Sequence, residues 1–225
     1  MFWALAAASP WSIAGCVALV LAVRTAACVP GLRAALGLGR SQGSGRRRPA
    51  GQAAAALVVL GSGGHTSEML SMLAALDRAR YSPRTYVVAA TDRHSAGKAE
   101  AAEEGAGDAR VVATPRAREV GQSWVTTVVT TAWALVHALW LILVAIRPDV
   151  VLVNGPGTCV PFCIAATVGN VLGLTATRIV FVESMCRVDS LSLSGRILYP
   201  LAHRFLVQWA SLVAHYPHAE YVGLM

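Results

Sequence analysis

Short apolar runs alternate along the chain with longer segments of helical periodicity, and this alternation predicts the fold. The apolar runs at residues 57–60, 150–153 and 179–182 are typical of strands buried in a parallel sheet. The predicted strands cover residues 56–60, 85–90, 110–113, 150–153, 178–183 and 204–208, and the predicted helices cover residues 66–76, 95–104, 123–146, 158–172 and 194–202. This order predicts an α/β domain in which helices cover both faces of a parallel sheet.

Three of the predicted strands run into loops of small and polar residues. These loops are residues 61–66 (GSGGHT), residues 154–158 (NGPGT), and residues 183–184 (ES) with the serine-rich stretch beyond them. Ligands of open α/β sheets bind at the carboxyl ends of the strands, so the three loops point to one site. Glycines let the backbone approach a ligand closely, and the helix after the first loop directs free N–H groups at it. This geometry suits a phosphate.

His65, Glu183 and Asn154 are the side chains in these loops that could carry chemistry. His65 is the candidate for acid–base catalysis because imidazole titrates near neutral pH, although it could instead shape the turn through a hydrogen bond. Glu183 could orient a sugar hydroxyl or pair with Arg187. Asn154 could donate to a phosphate or cap the helix that follows it.

Several common sites are absent from the sequence. There is no P-loop motif and no Gly-x-Ser-x-Gly elbow, and residues 61–66 lack the last glycine of the dinucleotide fingerprint. Asp92 nevertheless ends the second strand, where a ribose partner would lie, so a nicotinamide enzyme stays an alternative. Cys159 and Cys163 are one helical turn apart, but no second pair completes a zinc site, and no metal is expected.

The first part of the chain has the composition of a membrane anchor. Residues 2–23 carry no charged side chain, and their length, about 20 residues, is enough to cross a bilayer core. Six arginines and no acidic residue follow, at positions 24, 33, 40, 46, 47 and 48. This asymmetry predicts that the following domain lies in the cytosol. It favours a retained anchor over the alternative of a cleaved secretory signal, whose basic residues would precede its apolar core. The predicted organisation is an anchor at 1–24, a flexible basic linker at 25–54, and one domain at 55–225.

Charge elsewhere is nearly balanced, so the net charge of +7 does not indicate a nucleic-acid partner.

The predicted helix at residues 124–146 has no formally charged side chain and contains Trp124, Trp133 and Trp140. A second membrane span there would divide one sheet between two sides of the membrane. We therefore predict that this helix packs on the sheet and contacts the bilayer surface through its tryptophans, with a fully buried core helix and a true membrane span as the alternatives.

Taken together, the loop motifs resemble one family closely. They are GSGGHT at 61–66, REV at 118–120 with QSW at 122–124, NGPGTCVP at 154–161, VES at 182–184 with CRV at 186–188, and LSLSGR at 191–196. The family is the membrane-anchoring subunit of the two-subunit transferase that adds the second N-acetylglucosamine to dolichyl diphosphate. The resemblance covers about residues 55–225.

This resemblance implies a Rossmann-like domain that corresponds to the amino-terminal half of a GT-B glycosyltransferase. A separate catalytic subunit would supply most of the UDP-sugar site, and no further cofactor is implied. The anchoring subunit would recruit it to the cytosolic face of the endoplasmic reticulum membrane and would bind the lipid-linked acceptor. The predicted residues for the acceptor diphosphate are Gly63, Gly64, His65, Asn154, Gly155, Gly157 and Thr158.

Two other functions compete with this one. The chain could be a pure scaffold whose loops are only structural, or a membrane-tethered nicotinamide oxidoreductase. Within the leading interpretation, we expect the carboxyl tail, residues 221–225, to contribute to the contact with the catalytic subunit, against the alternative of a frayed terminus.

Overall fold

The computed structural model describes residues 10–38, 51–104, 107–118 and 121–224. Its strands are β1 (Ala56–Val59), β2 (Arg84–Ala89), β3 (Ala109–Thr114), β4 (Val150–Asn154), β5 (Arg178–Val182), β6 (Arg204–Val207) and β7 (Ala219–Tyr221). Its helices are α1 (Pro10–Cys28), α2 (Pro30–Ala35), α3 (Gly64–Ala74), α4 (Arg93–Ala102), α5 (Trp124–Trp140), α6 (Cys159–Leu172), α7 (Leu193–Leu198) and α8 (Ala210–His215). A π-helical turn, Leu141–Ala145, continues α5.

The strands form one parallel sheet in the order β3-β2-β1-β4-β5-β6-β7. Every neighbouring pair in it is parallel, as the apolar runs predicted. The strand order reverses between β1 and β4, because the chain builds outward from β1 to β3 and then returns to β4. The fold is therefore Rossmann-like, and its topological switch point lies where the loops after β1 and β4 meet.

Alternate side chains of the strands point to opposite faces of the sheet and form one apolar core on each face. Val58, Tyr86 and Val88 point to the face covered by α3 and α4. Leu57 and Val59 point to the opposite face, where residues from α5 to α8 complete a larger core. Successive side chains of a strand point to opposite faces, so a continuous apolar run is what a sheet covered on both sides requires. The predicted coverage of both faces is confirmed.

The structure differs from the prediction at the carboxyl end. The last predicted strand covers residues 204–208, but the structure adds β7, which pairs in parallel with β6, and α8 connects the two strands. A three-residue strand is too short to show the alternation of apolar and polar residues on which strand prediction depends. The predicted helices over 66–76 and 194–202 also differ, since α3 begins at Gly64 and α7 ends at Leu198.

Residues 24–35, which we call the docking segment, comprise the last residues of α1, Val29 and the whole of α2, although most of them belong to the predicted linker. The Arg24 guanidinium donates to the carbonyl oxygens of Asn170 (2.9 Å) and Val171 (2.5 Å) in the last turn of α6. A cation at this end of a helix is favoured by free carbonyl groups and by the helix dipole. Gly173 has a φ of 76° there, and a side chain on it would collide with Arg24. The part of the predicted linker at 39–50 lies outside the described residues.

Further along the docking segment, the amide of Gly31 donates to the carbonyl oxygen of Pro200 at 2.8 Å. Any Cβ at residue 31 would come within 2.7 Å of Pro200. Two separate points therefore hold the end of α1 against the domain. Of the six arginines that follow the predicted anchor, Arg24 is used in the contact with α6, and Arg33 donates to the carbonyl oxygen of Leu38. Those at 40 and 46–48 lie outside the described residues.

One face of α5 is apolar and exposed along its whole length. We call this surface the apolar stripe; its side chains are 54–80% exposed, and they are Val125, Val128, Val129, Trp133, Val136, Trp140 and Val144. The opposite face is weakly polar and points inward, where His137 contacts Thr114 and Thr130 donates to the carbonyl oxygen of Ala117. The alternative of a fully buried helix is therefore wrong. The side chain of Trp124 lies outside the described part of the chain.

By length and composition, residues 125–145 form the one helix in the described part of the chain that could cross a membrane. The predicted anchor at 1–24 is described only from residue 10, and its side chains only from residue 14. Within that part, Val17, Leu19, Val20 and Val23 are all exposed.

Candidate functional site

The loops after β1 and β4 lie side by side at the switch point, each leading into a helix. Gly63 has a φ of 62° and immediately precedes α3, and Thr158 immediately precedes α6. Gly63, Gly64 and Gly157 are exposed, and a Cβ on any of them would meet no other atom within 4 Å. The structure thus brings together free backbone and the amino ends of two helices, an arrangement suited to an anion.

The imidazole of His65 packs directly on the backbone of the second loop. Gly155 has a φ of 72°, and a Cβ there would come within 2.9 Å of His65 Cε1. Gly61 is equally constrained, because a Cβ would lie 2.8 Å from both His65 Cβ and Pro156 Cγ. The absence of side chains at residues 61 and 155 therefore lets the two loops pack closely against His65. The absence of side chains at residues 63, 64 and 157 leaves the backbone of the loops accessible to a ligand.

Asn154 is fully buried and ties the two loops together. Its Nδ2 donates to the carbonyl oxygen of His65 at 2.8 Å and lies 3.5 Å from Glu68 Oε2. The alternative in which Asn154 caps the next helix is wrong, because Thr158 occupies the cap position of α6 and no side-chain cap bond is made there. A direct bond from Asn154 to a phosphate stays a prediction.

Glu68 is a site residue that the sequence did not reveal. Its carboxylate contacts groups that follow four different strands. Oε1 accepts from the amide of Met185 (2.9 Å) and from Gln208 Nε2 (2.6 Å), and Oε2 faces His65 and Asn154. Two signals were present: Glu68 lies one helical turn after His65, and Gln208 directly follows an apolar strand.

Glu183 lies next to these groups, but its carboxylate is directed into its own loop. Oε2 accepts from the Ser192 amide (3.0 Å) and hydroxyl (3.1 Å), and Oε1 accepts from the Ser184 amide (3.2 Å). Burial raises the pKa of Glu183 above its usual value, although the hydrogen bonds from Ser192 and Ser184 and the charge of Arg187 favour the carboxylate. This geometry favours a role in holding residues 184–192 in place; the catalytic role of Glu183 stays a prediction.

Asp92, the ribose partner of the nicotinamide alternative, has a structural role. Asp92 caps α4, accepting from the Ser95 amide (3.0 Å) and hydroxyl (2.7 Å). Burial opposes ionisation of Asp92, but these bonds and the nearby Arg116 and His94 bring its pKa below the usual value. Within the described ranges no group of three or more His, Cys, Asp or Glu side chains could hold a metal ion.

The arrangement combines an open anion cradle with one partly exposed imidazole at the edge of a crevice. It belongs to the class of Rossmann-like domains, whose ligands bind at the carboxyl ends of the strands. Residues 56–225 match the model of the family described as oligosaccharide biosynthesis protein Alg14 like, and the chain belongs to this family.

Curated relatives from distant eukaryotes carry one name, UDP-N-acetylglucosamine transferase subunit ALG14. The Homo sapiens protein is 46% identical, and the match covers 74% of this chain and 81% of the relative. The Schizosaccharomyces pombe protein is 47% identical, over 75% and 82% of the two chains. The Candida albicans protein is 41% identical, over 75% and 76%. The family resemblance predicted from the loop motifs is confirmed.

Proposed function

We propose that this chain is the membrane-anchoring subunit of a UDP-N-acetylglucosamine transferase. It recruits a separate catalytic subunit to the cytosolic face of the endoplasmic reticulum membrane. The complex then transfers the second N-acetylglucosamine to N-acetylglucosaminyl-diphosphodolichol. The observation that carries this proposal is the open cradle at the switch point, in a chain whose relatives are named as subunits of such a transferase.

The diphosphate of the acceptor is the group that fits this cradle. Gly63 and Gly64 begin α3, while Gly157 and Thr158 precede α6, so free N–H groups and the positive ends of two helix dipoles converge there. The described residues contain one sheet, which corresponds to half of a two-domain GT-B enzyme. The UDP-sugar therefore binds mainly to the partner, and this chain supplies the acceptor side of the site.

A nicotinamide oxidoreductase fits the site less well. The ribose partner that this alternative requires is Asp92, and its carboxylate is engaged by Ser95 as the cap of α4. At the position of the missing third glycine, Thr66 is fully buried, and its hydroxyl donates to the carbonyl oxygen of Gly61.

Sugar transfer by this chain is expected to depend entirely on its partner. Membranes that contain the chain alone should transfer no N-acetylglucosamine to a dolichyl-diphosphate acceptor, and membranes that contain both subunits should. The measurement is transfer of radiolabelled sugar after co-purification, for the full chain and for a chain that ends at residue 220. Loss of co-purification in the shortened chain would support the predicted role of residues 221–225. Robust transfer by the single chain would overturn the proposal.

The apolar stripe on α5 is proposed to lie on the bilayer surface, with Trp133 and Trp140 at the interface. Seven exposed apolar side chains on one helix face form the kind of surface that inserts into the headgroup region. In sealed microsomes, Val129→Cys should react with a charged maleimide at least ten times more slowly than the exposed control Glu104→Cys. Detergent should remove the difference, as measured by peptide mass spectrometry. Equal rates in intact membranes would refute the contact.

A further inference from the structure

The imidazole of His65 has one nitrogen sealed inside the protein. Nδ1 is shielded from solvent and has no hydrogen-bond partner among the described residues, although the side chain as a whole is 37% exposed. The exposed fraction therefore belongs to other atoms of the side chain. Glu68 Oε2 lies 3.8 Å from Nδ1, and the Glu68 side chain is only 6% exposed.

Glu68 is fixed in place by the rest of its contacts. Oε1 accepts from Met185 and Gln208, while Asn154 Nδ2 approaches Oε2 from the other side. Since a carboxylate only accepts hydrogen bonds, it can satisfy Nδ1 only when Nδ1 carries the proton. Burying Nδ1 without a hydrogen-bond partner costs free energy. A rotation of the imidazole that shortens the 3.8 Å distance between Nδ1 and Glu68 Oε2 to ordinary hydrogen-bond length would remove this cost.

We propose that Glu68 is a positioning residue that holds the neutral imidazole of His65 in the tautomer with its proton on Nδ1. The lone pair of Nε2 then faces the crevice. This inference rests on the proposed function, which supplies the hydroxyl that Nε2 would meet. The carboxylate orients a histidine that faces substrate, which is the relation of the buried aspartate to the histidine in a serine-protease triad.

In the transfer step, Nε2 accepts the proton of the acceptor sugar hydroxyl. The hydroxyl oxygen forms a bond to the anomeric carbon of the donor sugar, and the bond from that carbon to the UDP oxygen breaks. UDP leaves with the bonding electrons, and the imidazolium later releases its proton to solvent. Glu68 stabilises the imidazolium and is not itself protonated. A positioned general base of this kind contributes roughly 100-fold to 10,000-fold in rate.

The test is Glu68→Gln in the assembled two-subunit complex. Met185 and Gln208 both donate to the position of Oε1, so the glutamine oxygen would take that position and its NH2 group would face Nδ1. An NH2 group that donates to Nδ1 favours the tautomer with the proton on Nε2 and removes the base. We expect kcat to fall about 100-fold, with KM for the lipid acceptor changed less than about threefold. Glu104→Gln, an exposed carboxamide substitution away from the site, should leave both constants unchanged.

A purely structural role for Glu68 makes a different prediction, which Gln208→Met tests. This variant removes the 2.6 Å bond to Oε1 but keeps the carboxylate that faces His65. In Gln208→Met the amide of Met185 still donates to Oε1 and holds the carboxylate. If Glu68 acts through the tautomer, this variant should therefore retain most of the kcat that Glu68→Gln loses. Equal losses of kcat in both variants would overturn the proposal.

Nitrogen-15 chemical shifts of the His65 ring in the labelled wild-type complex provide a readout that does not need any variant to fold. We expect the proton on Nδ1 in the wild type and on Nε2 in Glu68→Gln. A wild-type ring protonated on Nε2 would refute the inference. Failure of the proposed function would instead appear as an inactive wild-type complex, so the two failures are distinguishable.

Discussion

Replacing His65 with alanine should lower sugar transfer by the assembled complex about 100-fold or more and leave recruitment of the partner unchanged. The imidazole is the partly exposed titratable group where the loops after β1 and β4 meet, and Gly155 leaves the space in which it packs. Its removal takes away the candidate base without removing the backbone cradle. The measurements are kcat in purified complexes and the amount of partner that co-purifies.

His94→Ala is the matched control for His65→Ala. His94 is exposed at the start of α4, after a different strand, so its loss should change transfer less than about twofold. The scaffold alternative predicts that His65→Ala keeps full turnover. A complex with normal turnover and normal partner content after His65→Ala would therefore support the scaffold and remove the acid–base role.

The second large effect concerns stability: Gly195→Ala in α7 should destabilise the folded chain. A Cβ at residue 195 would overlap Glu183 Oε2, which accepts from both the amide and the hydroxyl of Ser192. The collision must move a buried carboxylate away from its donors, and we expect the free energy of unfolding to fall by about 2–4 kcal/mol. The measurement is chemical or thermal unfolding of the purified chain in detergent.

Gly97→Ala provides the contrast, because Gly97 is also helical but exposed, and a Cβ added there would meet no other atom within 4 Å. Alanine is favoured over glycine in a helix by about 1 kcal/mol, so this variant should be neutral or more stable. If Gly195→Ala were as stable as Gly97→Ala, the packing of Glu183 against α7 would be refuted.

Hydrophobic pattern was sufficient to predict most of the sheet because β1 to β6 each contain a run of consecutive apolar residues. It failed for β7, whose three residues are stabilised by pairing with β6 rather than by their own composition. It also failed for the docking segment, where an Ala-, Gly- and Arg-rich sequence typical of a linker becomes ordered through Arg24 and α6. Both failures come from tertiary contacts that local patterns do not contain.

The glycines and His65 of the candidate site were predictable because each follows a strand directly, and strand ends in a parallel sheet share one edge. Glu68 was not, because it lies inside a helix, where a glutamate is ordinarily part of a solvated face. Its importance follows from the closeness of Asn154, Met185 and Gln208, which are distant from it in sequence. Glu183 directly follows β5, and its carboxylate points into its own loop.

The contact of Arg24 with α6 sets a distance between the predicted membrane anchor and the candidate site. Arg24 binds the carboxyl end of α6, and the cradle lies at its amino end, so this 14-residue helix separates them by about 21 Å. A domain standing upright on its anchor would hold the cradle that far above the bilayer. We expect the domain to lie with α5 against the membrane, because the apolar stripe runs between the same two edges of the sheet. A diphosphate at the height of the lipid headgroups can then enter the cradle.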